Sequence, residues 1–149
     1  MNYKTIISAD ILKNNIDNKD FIIFDCRCDV KDSTYGLQAY NEGHIPNSIF
    51  VDIDADLASE KTVNSGRHPL PDPDALSEKL SQWGFNSSKQ AVVYDDAGGA
   101  FAGRMWWILR WLGHKNVAVL DGALGGWMAS GGKLTQDNTI FERSVFTPT

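Results

Sequence analysis

Cysteine is almost missing from this chain of 149 residues: Cys26 and Cys28 are the only two. Two positions apart in a run that reads as strand, they point the same way without easily meeting disulfide geometry. A disulfide-built scaffold is thereby excluded, and reduced thiols are expected. Runs of basic residues are also lacking. Fourteen Lys and Arg stand against nineteen Asp and Glu, for a net charge of −5, which argues against a nucleic-acid backbone or an anionic membrane as partner. Long apolar runs are absent as well. The opening MNYKTIISADILKNN holds none that suits a signal peptide or a membrane span, so the expected location is the cytoplasm. Neither an internal repeat nor a low-complexity segment appears. What remains, at 42% hydrophobic residues, is the composition of one globular domain with a real core.

Short strand-like and helix-like runs alternate along this domain. TIIS at 5–8 and FIIFD at 21–25 are β-branched or aromatic, and the segment between them has a Ser8 cap and a helical pattern. SIFVDID at 48–54 reads as a further strand. Asp72-Pro73 offers an N-cap with proline at the first helical position, and Leu76, Leu80 and Trp83 recur on one face before Gly84. AVVYD at 91–95 and NVAVLD at 116–121 are two more strands, with a tryptophan-rich helix between them. This order predicts an α/β fold with a mainly parallel sheet of about five strands and helices on both faces. Residues 1–132 form the predicted domain; 133–149 lose the periodicity and read as an extended tail or linker.

Three predicted strands end in aspartate: Asp25, Asp95 and Asp121, at the edge where open α/β sheets bind ligands. Asp95 opens the stretch DDAGGAF, a glycine-bearing loop that feeds a helix. Such a loop points backbone N–H groups at one spot and suits an anion or a thiolate, yet here it carries Asp95 and Asp96. One chemical reading is magnesium-dependent phosphotransfer on Asp95, with neighbouring carboxylates completing the metal shell. The alternative is that strand-end aspartates cap the turns and helices that follow.

The motifs FDCR, AYNEGHIPNSIFVDID, HPLPDPDALSEKLSQWGF, VVYDDAGGAFAGRMWWILRWLGH and VAVLDGALGGW occur in that order. As an ordered set, from about Ile6 to Trp127, they resemble a rhodanese-like domain, a three-layer fold. The resemblance is specifically to the N-terminal, non-catalytic domain of two-domain thiosulfate and 3-mercaptopyruvate sulfurtransferases. In catalytic rhodanese domains a cysteine stands where this chain has Asp95, and it carries sulfane sulfur inside a ring of backbone N–H groups. The resemblance therefore implies that this chain alone performs no sulfur transfer. It also makes the loop longer than a catalytic one, so that its N–H groups are expected to aim away from residue 95. A like-charge contact of about 4 kcal/mol, for charges about 4 Å apart at an effective dielectric near 20, is expected to repel an anionic donor.

Other positions take their roles from the same resemblance. Asp54 and His68 match a pair that supports proton transfer in mercaptopyruvate-type members, and His68, Phe101 and Arg104 are placed along the substrate cleft. Phe101 stands where those members often carry tyrosine. Asp25 and Arg27 match a structural D-x-R pattern, and Cys26 and Cys28 read as packing residues. His44 matches a structural GHIP turn, and His114 reads as a helix-end residue. The helix around Trp106, Trp107 and Trp111 is apolar nearly all round and needs cover on more than one side. The expected partner is a C-terminal catalytic rhodanese domain of the same polypeptide, and no metal or organic cofactor is implied. A stand-alone inactive module used for binding or regulation is the alternative within the same fold.

Overall fold

The computed structural model describes residues 3–57, 71–138 and 140–148. Strands β1 (Ile6–Ile7), β2 (Phe21–Asp25), β3 (Ser48–Phe50), β4 (Gln90–Tyr94) and β5 (Val117–Leu120) form one sheet. Their order is β1-β5-β4-β2-β3, and every neighbouring pair is parallel. Among the described residues the helices are α1 (Ala9–Asn14), α2 (Tyr35–Glu42), α3 (Ile53–Asp56), α4 (Pro73–Gln82), α5 (Ala102–Trp111) and α6 (Ala123–Ala129). The expected α/β class and parallel five-stranded sheet are thus observed. None of the described helices is long and apolar enough to cross a membrane.

Alternation along the strands divides the interior into two cores. Ile22, Phe24, Ala91, Val93 and Val117 face the side covered by α4 and α5, where Leu76, Leu80, Met105 and Ile108 meet them. Ile23, Val92, Tyr94 and Ala118 face the other side, against Leu12 of α1 and Leu124 and Trp127 of α6. Both faces of the central strands are dry: every residue of β4 is buried, and Ala91, Val92 and Val93 read as an apolar run without a polar face.

Two caps read from sequence are in place. Ser8 accepts from the Ile11 N–H at 3.2 Å, and Asp72 accepts from the Ala75 N–H at 2.9 Å with Pro73 opening α4. One strand is shorter than expected. β3 stops at Phe50, and VDID turns into α3. Asp52 accepts from the Ala55 N–H at 3.1 Å while its own N–H donates to Asp56 Oδ2 at 2.8 Å, a reciprocal cap that favours helix over strand.

The described part of 133–148 is extended and packs back on the domain. Thr135 pairs with His44 through two backbone bonds of 2.9 and 2.8 Å. Further on, Phe146 is buried against Phe85 and His114, and its N–H donates to Ser81 Oγ at 2.9 Å.

Candidate functional site

The loop between β4 and α5 has its carboxylate inside. Asp95 is wholly buried, and its two oxygens accept from four backbone N–H groups: Ala97 (3.0 Å) and Gly99 (2.9 Å) on Oδ1, Phe101 (2.9 Å) and Ala102 (2.9 Å) on Oδ2. Gly98 and Gly99, at φ 71° and 97°, turn the chain so that these donors face inward, a conformation that side-chained residues rarely adopt. The start of α5 has no ordinary side-chain cap at Phe101; Asp95, six residues earlier, takes that role. Two expectations about this loop change as a result. Its N–H groups converge on the residue-95 side chain instead of aiming away. The Asp95 charge, moreover, is compensated within the loop and is not presented to an incoming anion.

Asp96 is exposed and points the other way, accepting from the Tyr35 hydroxyl across the loop. Nothing in the sequence pattern of Tyr35 signalled this contact. Asp25 is buried and fully engaged: Arg27 pairs with it at 2.7 Å, and the Tyr94 hydroxyl donates to it at 2.7 Å. Asp121 is exposed. The three strand-end carboxylates therefore do not pool, and among the described residues no set of three or more His, Cys, Asp or Glu is placed to hold a metal ion. The capping reading accounts for Asp95, and ion pairing accounts for Asp25.

Cys26 is buried, and desolvation, followed by the nearby Asp25 and Asp95, pushes its thiol well above the ordinary range. That environment suppresses the thiolate a nucleophile needs. Cys28 is half-buried. His44 is buried, stacked on Tyr40 at 3.7 Å, and its ring nitrogens contact the Tyr40 and Asp137 carbonyls at 2.7 Å each. It joins the end of α2 to the returning tail. His114 is buried after α5, where desolvation lowers its pKa.

Two of the expected cleft residues, Phe101 and Arg104, lie at the start of α5. Phe101 is half-buried and held through its N–H by Asp95. Arg104, on the first turn of α5, donates to the Leu57 carbonyl at 2.9 Å, which ties α5 to the chain just after α3. His68 and the side chain of Asp54 lie outside the described residues. A cleft of about 540 Å³ opens beside the loop, between Gly98, Gly99, Asp121 and Leu124, with Ile6 and Met128 at its apolar side. On α5, Trp107 and Trp111 stack on each other at 6.3 Å and are 49% and 38% exposed. Trp106 is half-buried, donating to the Lys4 carbonyl at 2.9 Å beneath the Arg110 guanidinium.

Residues 8–130 match the family model for the rhodanese-like domain. The chain is 44% identical over 149 residues to a probable 3-mercaptopyruvate sulfurtransferase of Pseudomonas aeruginosa, covering 98% of this chain and 52% of that protein. It superposes on the crystal structure of SseA from Escherichia coli, described as a 3-mercaptopyruvate sulfotransferase, with a TM-score of 0.85 and 29% identity, over 99% of this chain and 56% of that one. The fold also matches 3-mercaptopyruvate sulfurtransferase from Leishmania major, with a TM-score of 0.85 at 24% identity, over 97% of this chain and 39% of that one. The chain thus spans about half the length of relatives it matches, or less. With its β4–α5 loop, its buried Asp25–Arg27 pair and its sheet order all in place, the chain belongs to the rhodanese-like domain family, related to the 3-mercaptopyruvate and thiosulfate sulfurtransferases.

Proposed function

We propose that this chain is the non-catalytic N-terminal half of a tandem sulfurtransferase that acts on 3-mercaptopyruvate or thiosulfate. The observation that carries this reading is Asp95: where the resemblance puts a sulfur-carrying cysteine stands a buried carboxylate with four backbone N–H bonds. A carboxylate there cannot carry sulfane sulfur, and the buried Cys26 is no substitute. The nucleophile then belongs to a second domain that follows in the same polypeptide. Two further observations support this. The relatives are about twice as long, and the stacked Trp107 and Trp111 leave an apolar strip on α5 that a second domain would cover.

In that enzyme the cysteine thiolate of the second domain attacks the sulfur of 3-mercaptopyruvate. The S–S bond of a persulfide forms, the C–S bond breaks, and pyruvate leaves as its enolate, which takes up a proton. Cyanide or a thiol then accepts the outer sulfur and returns the thiolate. This half supplies one wall of the cleft, with Phe101 and Arg104, and the pair Asp54 and His68 assists proton transfer.

The test compares two proteins: the 149-residue chain, and the same chain continued through whatever the gene encodes after Thr149. Sulfur transfer from 3-mercaptopyruvate to cyanide is expected only from the longer protein. Turnover by the 149-residue chain above a buffer blank would overturn the proposal.

A further inference from the structure

A second cleft, of about 560 Å³, lies at the edge of the sheet opposite the Asp95 loop, where β2 and β4 begin. Its volume falls within the range of about 300–1,000 Å³ typical of small-molecule sites. Lys19 and Phe21 line it from the start of β2, Asn86 and Lys89 from the connection between α4 and β4, and residues 140–144 from the tail. The tail wall is fixed in place. Gly84, at φ 87°, lets the tail lie flush on the domain: a Cβ there would meet the Phe141 Cβ and the Glu142 carbonyl at 2.9 Å each. The Ser144 N–H donates to the Ser81 carbonyl at 2.9 Å, and Arg143 grips Glu78 at 2.7 and 2.9 Å.

The charges around this cleft do not balance. Lys19, Lys89 and Arg143 line it against one carboxylate, Glu142, in a chain whose net charge is −5. Arg143 is matched by Glu78, which leaves two amines to one carboxylate. Lys89 donates to the Lys19 carbonyl, so the two lysines meet at one side of the opening, and the Lys89 ammonium keeps further N–H donors to give. The Ser144 hydroxyl accepts from Asn86 Nδ2 at 2.8 Å, and among the described residues nothing accepts its proton. Apolar surface shares the same opening: Phe21 and Phe141 are half-buried, and Ile140 is 93% exposed.

We propose that this cleft binds a small organic acid, a single carboxylate on an apolar body. Lys19, Lys89 and the Ser144 hydroxyl meet the carboxylate, while Phe21 and Phe141 cover the body. The one unmatched positive charge selects a monoanion. The cleft shares no residue with the Asp95 loop, and the inference does not rest on the sulfur-transfer reading.

The test uses three probes that divide the chemistry: benzoate carries both parts, benzyl alcohol the apolar body, and acetate the charge. Each is titrated into the ¹⁵N-labelled chain, and amide shifts are followed by NMR at constant ionic strength. Benzoate is expected to move the amides of Phe21, Lys89, Phe141 and Ser144 saturably, with benzyl alcohol and acetate at least about tenfold weaker. In the double variant Lys19→Gln, Lys89→Gln the benzoate Kd should rise about tenfold while the Tm of the free protein stays the same. The proposal is overturned if benzoate gives no saturable shift by about 10 mM, a concentration well above the Kd of even a weak site. It is equally overturned if the shifts fall on Trp107 or Met128 instead, if benzyl alcohol binds as well as benzoate, or if the double variant keeps the original Kd.

Discussion

Arg27 grips Asp25 through two nitrogens at once, Nε at 3.1 Å and Nη2 at 2.7 Å from Oδ2, with both side chains out of solvent. The same Nη2 donates to the Gly43 carbonyl at 2.7 Å, so the pair fastens the end of β2 to the turn after α2. Removing one partner leaves the other as an uncompensated buried charge. Arg27→Ala is therefore expected to cost about 3–5 kcal/mol in urea unfolding, and Asp25→Asn somewhat less because the amide keeps an acceptor. A loss under 1 kcal/mol for Arg27→Ala would show that the pair is solvated.

His114 gives the fold an acid-sensitive component. Burial lowers its pKa below the ordinary value of 6.5, and its ring lies edge-on to Phe85 at 4.7 Å and Phe146 at 6.2 Å. The unfolded chain thus takes up this proton at a higher pH than the folded one does. Stability is unaffected by the group above its unfolded pKa and falls as pH drops below 6.5. The difference in Tm between the unaltered chain and His114→Phe should change between pH 7 and pH 5, in favour of the variant as pH falls. A constant difference would remove His114 as the cause.

The two thiols should behave unequally. Cys26 is buried with its thiol pushed up, whereas Cys28 is half-buried. Iodoacetamide at neutral pH is expected to modify Cys28 first and to reach Cys26 only when the protein opens, as read by mass spectrometry of the two peptides. Earlier labelling of Cys26 would contradict the buried site.

Phe146 extends the core into a segment without regular structure. It is 5% exposed, packed on Phe85 at 4.9 Å, and continues the cluster of Leu80 and Leu112. Phe146→Ala should cost about 3 kcal/mol, and ending the chain at Gly132 should cost at least as much. Denaturant midpoints that match those of the whole chain would show that the tail is dispensable.

In the complete protein, His68→Ala should lower kcat/KM for 3-mercaptopyruvate by about 100-fold or more, with an unchanged Tm. Wild-type kinetics would end the proton-transfer role given to that residue. A Tm that falls with the rate would make it structural.

Much of this architecture could be read from the residues, for reasons local to each segment. Ser8 and Asp72-Pro73 act within their own first turns, so their effect is visible in a few letters. The length of β3 was not, because Asp52 and Asp56 cap each other only once the chain has already turned. Asp95 was legible as a strand-end capping residue, but not as the focus of four donors. That depends on positive φ at Gly98 and Gly99, and two glycines in a loop permit this conformation without dictating it. Phe146 was missed altogether. A side chain docked from an extended strand of coil leaves no period to detect, and its neighbours Phe85 and His114 lie far away in sequence.

The sheet order also sets a schedule for synthesis. Of the five strands of this sheet, β1 is made before the others and its partner after them: Ile6 lies beside Val119, more than a hundred positions later. Among the described residues no earlier strand pairs with it, since β5 stands between β1 and the rest of the sheet. The nascent segment therefore waits as an unpaired apolar edge, with Ile6 and Ile7 uncovered, while β2, β3 and β4 emerge and find each other. Loop closure over that distance comes late, so the N-terminal strand is expected to be a chaperone's point of contact during translation and the last piece of the sheet to become protected.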